Sequence, residues 1–292
     1  MVRHINAATL WGLPQWSQAP ARFTDQLTSL MKRDVCAIQH PRPEMVPAGL
    51  MHIVGQARID TRNDAADIAV QHKQAGYQAT TLHVGTGLEP DSEIDHLIGS
   101  VIEASTKYNY PLFVETHRAT VTQDIRRTID MIGRFPSIRF NADLSHWYTG
   151  HEMTYGDLAH KFDVMAPVFE RVRYMHGRIG TACCAQVRLD GAADDRLFVD
   201  HFREMWRRCA AGFLGTAEHG EVLPFAPELL PYSLKMLNGE MHFYYARTFL
   251  GDEGEVEESD RWQQAGILWD IAEACAVSAG LPLGSNKNLS AN

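Results

Sequence analysis

Four residues with ligand or proton-transfer chemistry each fall at the end of an apolar run. Glu115 stands next to last in "LFVET" and His176 next to last in "VRYMHG", while Asp143 closes "IRFNAD" and Glu228 closes "EVLPFAPE". His146 follows Asp143 by three residues. Each has an ordinary explanation when taken alone. A strand-end Asp commonly caps the next helix, a His after an apolar run commonly packs in a core, and a Glu beside prolines can mark a turn. Gathered at one point, they become a set of oxygen and nitrogen donors suited to Mn²⁺, Mg²⁺, Co²⁺ or Zn²⁺. Three carboxylates buried together without a cation would cost several kcal/mol, and a dication offsets most of that charge. The expected cofactor is one divalent metal ion, Mn²⁺ first among these, held by Glu115, Asp143, His176 and Glu228.

Such a site needs elements that bring the four ends together. Eight β-rich runs occur, at 4–10, 35–39, 51–57, 79–85, 112–116, 138–143, 172–177 and 221–228. Between them lie segments with apolar residues at i, i+3/i+4 and i+7, such as Ile94, Leu97, Ile98 and Val101, or Val199, Phe202, Met205 and Trp206. That period places an apolar stripe on one helix face. Asp91 and Thr122 are expected N-caps, and Gly76 a helix stop. Strands alternating with helices imply a parallel sheet with right-handed crossovers, and eight such units close an α/β (β/α)₈ barrel. The irregular unit is "HPRPEMVPAGL", too short and too rich in proline for a full helix. An open doubly wound sheet is the structural alternative, but no G-x-G-x-x-G or G-x-x-x-x-G-K-[ST] phosphate cradle occurs. In a barrel, the C-terminal strand ends share one mouth.

The chain reads as one domain over 1–292, with a C-terminal helical extension at 233–280 and a loose polar tail at 284–292. "GDEGEVEESD" (251–260) reads as a solvated acidic loop or helix start. The aromatic "MHFYYARTF" (241–249) could cover the barrel or pair subunits in a homodimer. Apolar residues make up 45% and charged residues 22%, with a net charge of −9. That charge disfavours a nucleic-acid partner. No apolar run is long enough to span a membrane, and the N-terminus lacks a signal-peptide core. A cytoplasmic location is expected. The five cysteines are irregularly spaced, which does not suit a disulfide framework.

The motifs "VETHR", "NADLSHW", "HGRIG" followed by Gln186, and "PELLPY" occur in order at strand ends. In this they resemble the xylose isomerase-like TIM-barrel superfamily. That group comprises sugar phosphate isomerases and epimerases and includes the endonuclease IV branch, AP endonuclease family 2. The resemblance covers roughly residues 80–235. It implies that Glu115, Asp143, His176 and Glu228 are metal ligands, and that Glu115 and Glu228 double as catalytic acid and base. It also implies that His146 and Arg178 bind substrate oxygens. The two-residue spacing from His176 to Arg178 departs from the epimerases, whose arginine follows several residues later.

Further substrate-binding candidates are His83, Gln186, Trp11 and Trp147, with His117 and Arg118 nearby in sequence. Packing roles are open for the aromatics and His83. The implied reaction is divalent-metal-dependent isomerisation or epimerisation of a small carbohydrate or keto-sugar. Proton abstraction next to a carbonyl gives an enediolate. If the intermediate expels a β-substituent, the same site is a lyase or dehydratase. An endonuclease IV-like enzyme would need a D-x-H pair after strand seven, whereas Asp190 is followed by Gly191 and Ala192. A non-catalytic subunit is the remaining alternative.

Overall fold

A computed structural model describes residues 1–236, 239–252 and 254–284. Eight parallel strands close a barrel in sequence order. They are β1 (Val2–Asn6), β2 (Val35–Gln39), β3 (His52–Ile59), β4 (Thr80–Val84), β5 (Leu112–Glu115), β6 (Phe140–Ala142), β7 (Val172–Gly177) and β8 (Pro224–Pro227). β1 pairs with both β2 and β8, which shuts the sheet. The open-sheet alternative is thereby excluded.

The helices are α1 (Phe23–Met31), α2 (Asp64–Gln74), α3 (Asp91–Tyr108), α4 (Ile125–Arg134), α5 (Ser145–Gly150), α6 (Leu158–Val164), α7 (Ala166–Phe169), α8 (Leu197–Thr216) and α9 (Arg261–Ser278). The apolar stripes face inward as their period requires. On α3, Ile94, Leu97, Ile98 and Val101 are buried, and on α8, Val199, Phe202, Met205, Trp206 and Cys209 are. Between β2 and β3 only a single turn forms, Pro43–Met45. An apolar groove of about 670 Å³ opens on the outer wall there, lined by Met31, Val46, Leu50 and Met51.

Two expected caps differ. Pro90 rather than Asp91 precedes α3, so Asp91 is its first residue. Asp124 caps α4 by accepting from the Arg127 N–H. The hydroxyl of Thr122 is instead used by the Glu115 carbonyl, 2.6 Å away. Gly76 follows α2 with φ +86°, as a helix stop should.

The C-terminal extension is not wholly helical. Strands β9 (Ser233–Met236) and β10 (Gly239–His242) form one hairpin, and β11 (Thr248–Gly251) and β12 (Gly254–Glu257) form another. The second replaces the acidic loop or helix start expected at 251–260. α9 then packs on α8, β7 and β8. At its start the buried Arg261 donates to the carbonyls of Ala8, Thr9, Trp11 and Gly12 and pairs with Glu257. Of the tail expected at 284–292, residues 285–292 lie outside the described residues. Among the described residues, no helix is long and apolar enough to cross a membrane.

Candidate metal centre

β5, β6, β7 and β8 deliver Glu115, Asp143, His176 and Glu228 to one buried point. Each offers a ligand atom within 4.8 Å of the others. His176 shows most clearly what this point is built to hold. Its Nε2 lies 2.7 Å from the Gln39 Oε1. Gln39 is oriented in turn, because its amide nitrogen donates to the Thr81 hydroxyl at 2.7 Å. Oε1 is therefore an acceptor, and His176 carries its proton on Nε2. Nδ1 is left as the lone-pair nitrogen. It faces Glu228, Glu115 and Asp143 oxygens at 3.3, 3.6 and 4.0 Å.

A lone pair among three carboxylates demands a cation or a second proton. In the protein alone, the proton answers. Burial disfavours the imidazolium, but Glu228 and Glu115 outweigh it and raise the His176 pKa well above its ordinary value. A divalent ion meets the same demand, with an N–H···O=C second shell already in place. Charge supports the fit. Three carboxylates balance one guanidinium and one dication. The donor set therefore suits a divalent metal.

Asp143 combines the two roles weighed for it. Its Oδ1 accepts from the Ser145 N–H at 3.1 Å and hydroxyl at 2.6 Å, which sets the first turn of α5. Its Oδ2 meets the Arg178 guanidinium and lies 3.4 Å from the His146 Nε2. Burial opposes its ionisation, but Arg178 and His146 hold it below the ordinary carboxylate range. For Glu115, burial is likewise outweighed, here by His83 and His176, and its pKa is held well below normal. Amides orient the two glutamates: Asn141 donates to Glu115 and Asn6 to Glu228, each at 3.0 Å.

Above this point lies a cavity of about 360 Å³. Glu115, Glu228, Arg178, His83, His117, His40, Trp11, Phe243 and Tyr245 are among its lining residues. Arg178 stacks under Tyr245 at 4.7 Å. One guanidinium nitrogen of Arg178 and Nδ1 of His146 are buried without a hydrogen-bond partner. The aromatic segment 241–249 thus covers the mouth through Phe243 and Tyr245.

The structure brings Glu115, Glu228, Arg178, His83 and Trp11 to the cavity, with Asp143, His146 and His176 beside or beneath it. It does not bring Trp147 or Gln186 there. Trp147 is fully buried and donates its indole N–H to the Thr122 carbonyl at 2.7 Å. Gln186 exchanges two hydrogen bonds with the Leu230 backbone, both 3.0 Å, and so clamps the loop after β8. Sequence reasoning missed Asn6, Gln39, Asn141 and His40. Asn6 and Gln39 end β1 and β2, so the signal that found Glu115 was present there too.

No family model matches the chain, and no curated protein matches it. Among solved structures, a xylose isomerase-like TIM barrel protein from Mycobacterium smegmatis in complex with magnesium aligns over 95% of this chain and 97% of its own. The two are 12% identical, with a TM-score of 0.54. The chain has the xylose isomerase-like TIM-barrel fold. A probable 3-DHS dehydratase from Bacillus anthracis is 13% identical over 78% of this chain and 92% of its own, with a TM-score of 0.47. In this xylose isomerase-like barrel the four candidate ligands stand at the C-terminal ends of consecutive strands.

Proposed function

We propose that the protein is a divalent-metal-dependent sugar isomerase or epimerase. The observation that carries this is the placement of two glutamates. Glu115 and Glu228 reach the same point from β5 and β8, and both line the cavity floor. The bound ion, Mn²⁺ in this proposal, would polarise a carbonyl and acidify the neighbouring C–H. A structure of the same fold holds magnesium, which is consistent with an ion of this class.

The protein groups then divide the work. Glu115 is held ionised by His83 and His176 and accepts the proton. Glu228 returns a proton from the other wall. Arg178 has an unpartnered nitrogen for the developing oxyanion, and Tyr245 and Trp11 shield the cavity from water. The cavity volume lies near the lower end of small-molecule sites, suited to a small ketose or keto-sugar.

The test is exchange of the proton next to the carbonyl into deuterated water, across a panel of ketoses, with metal-loaded and metal-free protein. Metal-dependent exchange with an isomeric product is expected, and Glu115→Gln should lose it. No exchange with any ketose in the metal-loaded protein refutes the proposal. Release of water or an aglycone without an isomer would reassign the site to a lyase.

A further inference from the structure

Arg139, Arg171 and Arg173 gather at the opposite end of the barrel from Asp143 and His176. Arg139 and Arg171 directly precede β6 and β7, and Arg173 is the second residue of β7. The two strands begin side by side, since the Phe140 N–H donates to the Arg171 carbonyl at 2.9 Å. The three side chains line a pocket of about 150 Å³ together with Pro136, Glu170 and Thr216.

Backbone carbonyls hold two of these guanidiniums in place. Arg173, only 4% exposed, donates to the carbonyls of Val172 and Thr216, each at 2.9 Å. Arg171 donates to the carbonyls of Pro136 at 3.1 Å and Pro167 at 2.8 Å. Carboxylates cancel only part of the charge. Glu170 lies 3.5 Å from Arg171, and Glu221 lies 3.2 Å from the Nε of Arg173. That buried Nε faces Glu221 without the geometry of a hydrogen bond. Arg139 donates to the Ile138 carbonyl at 3.1 Å, and among the described residues no carboxylate pairs with it. Burial pushes the Arg173 pKa down; Glu221 opposes this, and the Arg139 charge adds to it.

We propose that Arg139, Arg171 and Arg173 form a binding site for a phosphate group, on the face of the barrel away from the metal centre. Three like charges around one pocket repel each other, and an oxyanion between them turns that repulsion into attraction. The planar forks present paired N–H donors that match phosphate oxygens. Arg139 supplies the charge that Glu170 and Glu221 leave uncancelled. The pocket is well below the roughly 300 Å³ at which small-molecule clefts begin, so it takes one group rather than a whole ligand. β6 and β7 run from this pocket to Asp143 and His176, so its occupant steadies the starts of two strands that serve the site at their far ends.

The experiment is calorimetric titration of chelator-stripped full-length protein, at fixed ionic strength, with inorganic phosphate and with phenyl phosphate. Saturable binding is expected. Tighter binding of inorganic phosphate assigns a free ion, and tighter binding of phenyl phosphate assigns the phosphate of a larger ligand. Arg139→Gln should weaken binding about 10–100-fold, the worth of one charged hydrogen bond. Glu170→Gln removes a competing carboxylate from the rim and should tighten binding severalfold. Melting curves show that both variants fold. No binding of either probe at millimolar concentration overturns the proposal. Binding unchanged by Arg139→Gln also overturns it, because the anion then sits elsewhere, as does binding that Glu170→Gln fails to tighten.

Discussion

Gln39 touches no proposed ligand except through one hydrogen bond, yet it decides which nitrogen of His176 is free. Gln39→Met keeps the length and removes the acceptor. The His176 Nε2–H is then buried without a partner, at a cost of about 1–3 kcal/mol. Thr81 loses its donor as well, while Asn6 still reaches Glu228 at 3.0 Å. Loss of such an outer-shell partner lowers metal affinity roughly 10–100-fold, which corresponds to about 1.4–2.7 kcal/mol. Gln39→Glu keeps an acceptor for the same N–H and should hold the metal more tightly than Gln39→Met. Calorimetric titration of chelator-treated protein with Mn²⁺ measures both. If both variants bind like wild type, Gln39 does not set the His176 tautomer and the reasoning fails.

Further expectations concern the ligands and the barrel interior. Asp143→Ala should abolish metal binding at the four-residue centre, whereas His146→Ala should keep the metal and lose activity. Equal metal loss in both, by elemental analysis, would remove the distinction between ligand and neighbour. His4 is buried inside the barrel, 3.1 Å from the Tyr174 hydroxyl, and burial followed by the His52 charge pushes its pKa down from 6.5 to about 3. Because the unfolded chain binds the proton more readily, stability is complete above about pH 6.5 and falls as pH drops toward 3. The loss is about 1.4 kcal/mol per pH unit within that window. Denaturant unfolding at pH 7.5 and 5.5 should show a total loss of about 1.4 kcal/mol from this group in wild type and a smaller loss in His4→Gln; equal losses would count against a neutral His4.

The barrel was legible because its two periods alternate so regularly, and all eight strand runs fall on observed strands. The four-residue centre was legible because carboxylates and an imidazole recur at one end of consecutive strands. What failed depends on distant partners. Trp147 follows His146 directly, but consecutive helix residues point in different directions, and the indole turns into the core. Gln186 has a partner 44 positions away that no local pattern specifies. Thr122 carries the chemistry of a cap, but the Glu115 carbonyl claims it. The helical reading of 233–280 missed the two-residue alternation of "TFLG" and "GEVE", which pair as β11 and β12.

Arg261 has a consequence for how the molecule is made. Its guanidinium ties the start of α9 to the carbonyls of the loop that carries Trp11, some 250 residues earlier. Phe243 and Tyr245 complete the same rim. During synthesis the first eight strands can emerge and pair while the mouth still lacks one wall. The chain's two distant ends must meet before the cavity is shaped, so binding competence should be the last property acquired, after the barrel itself has closed.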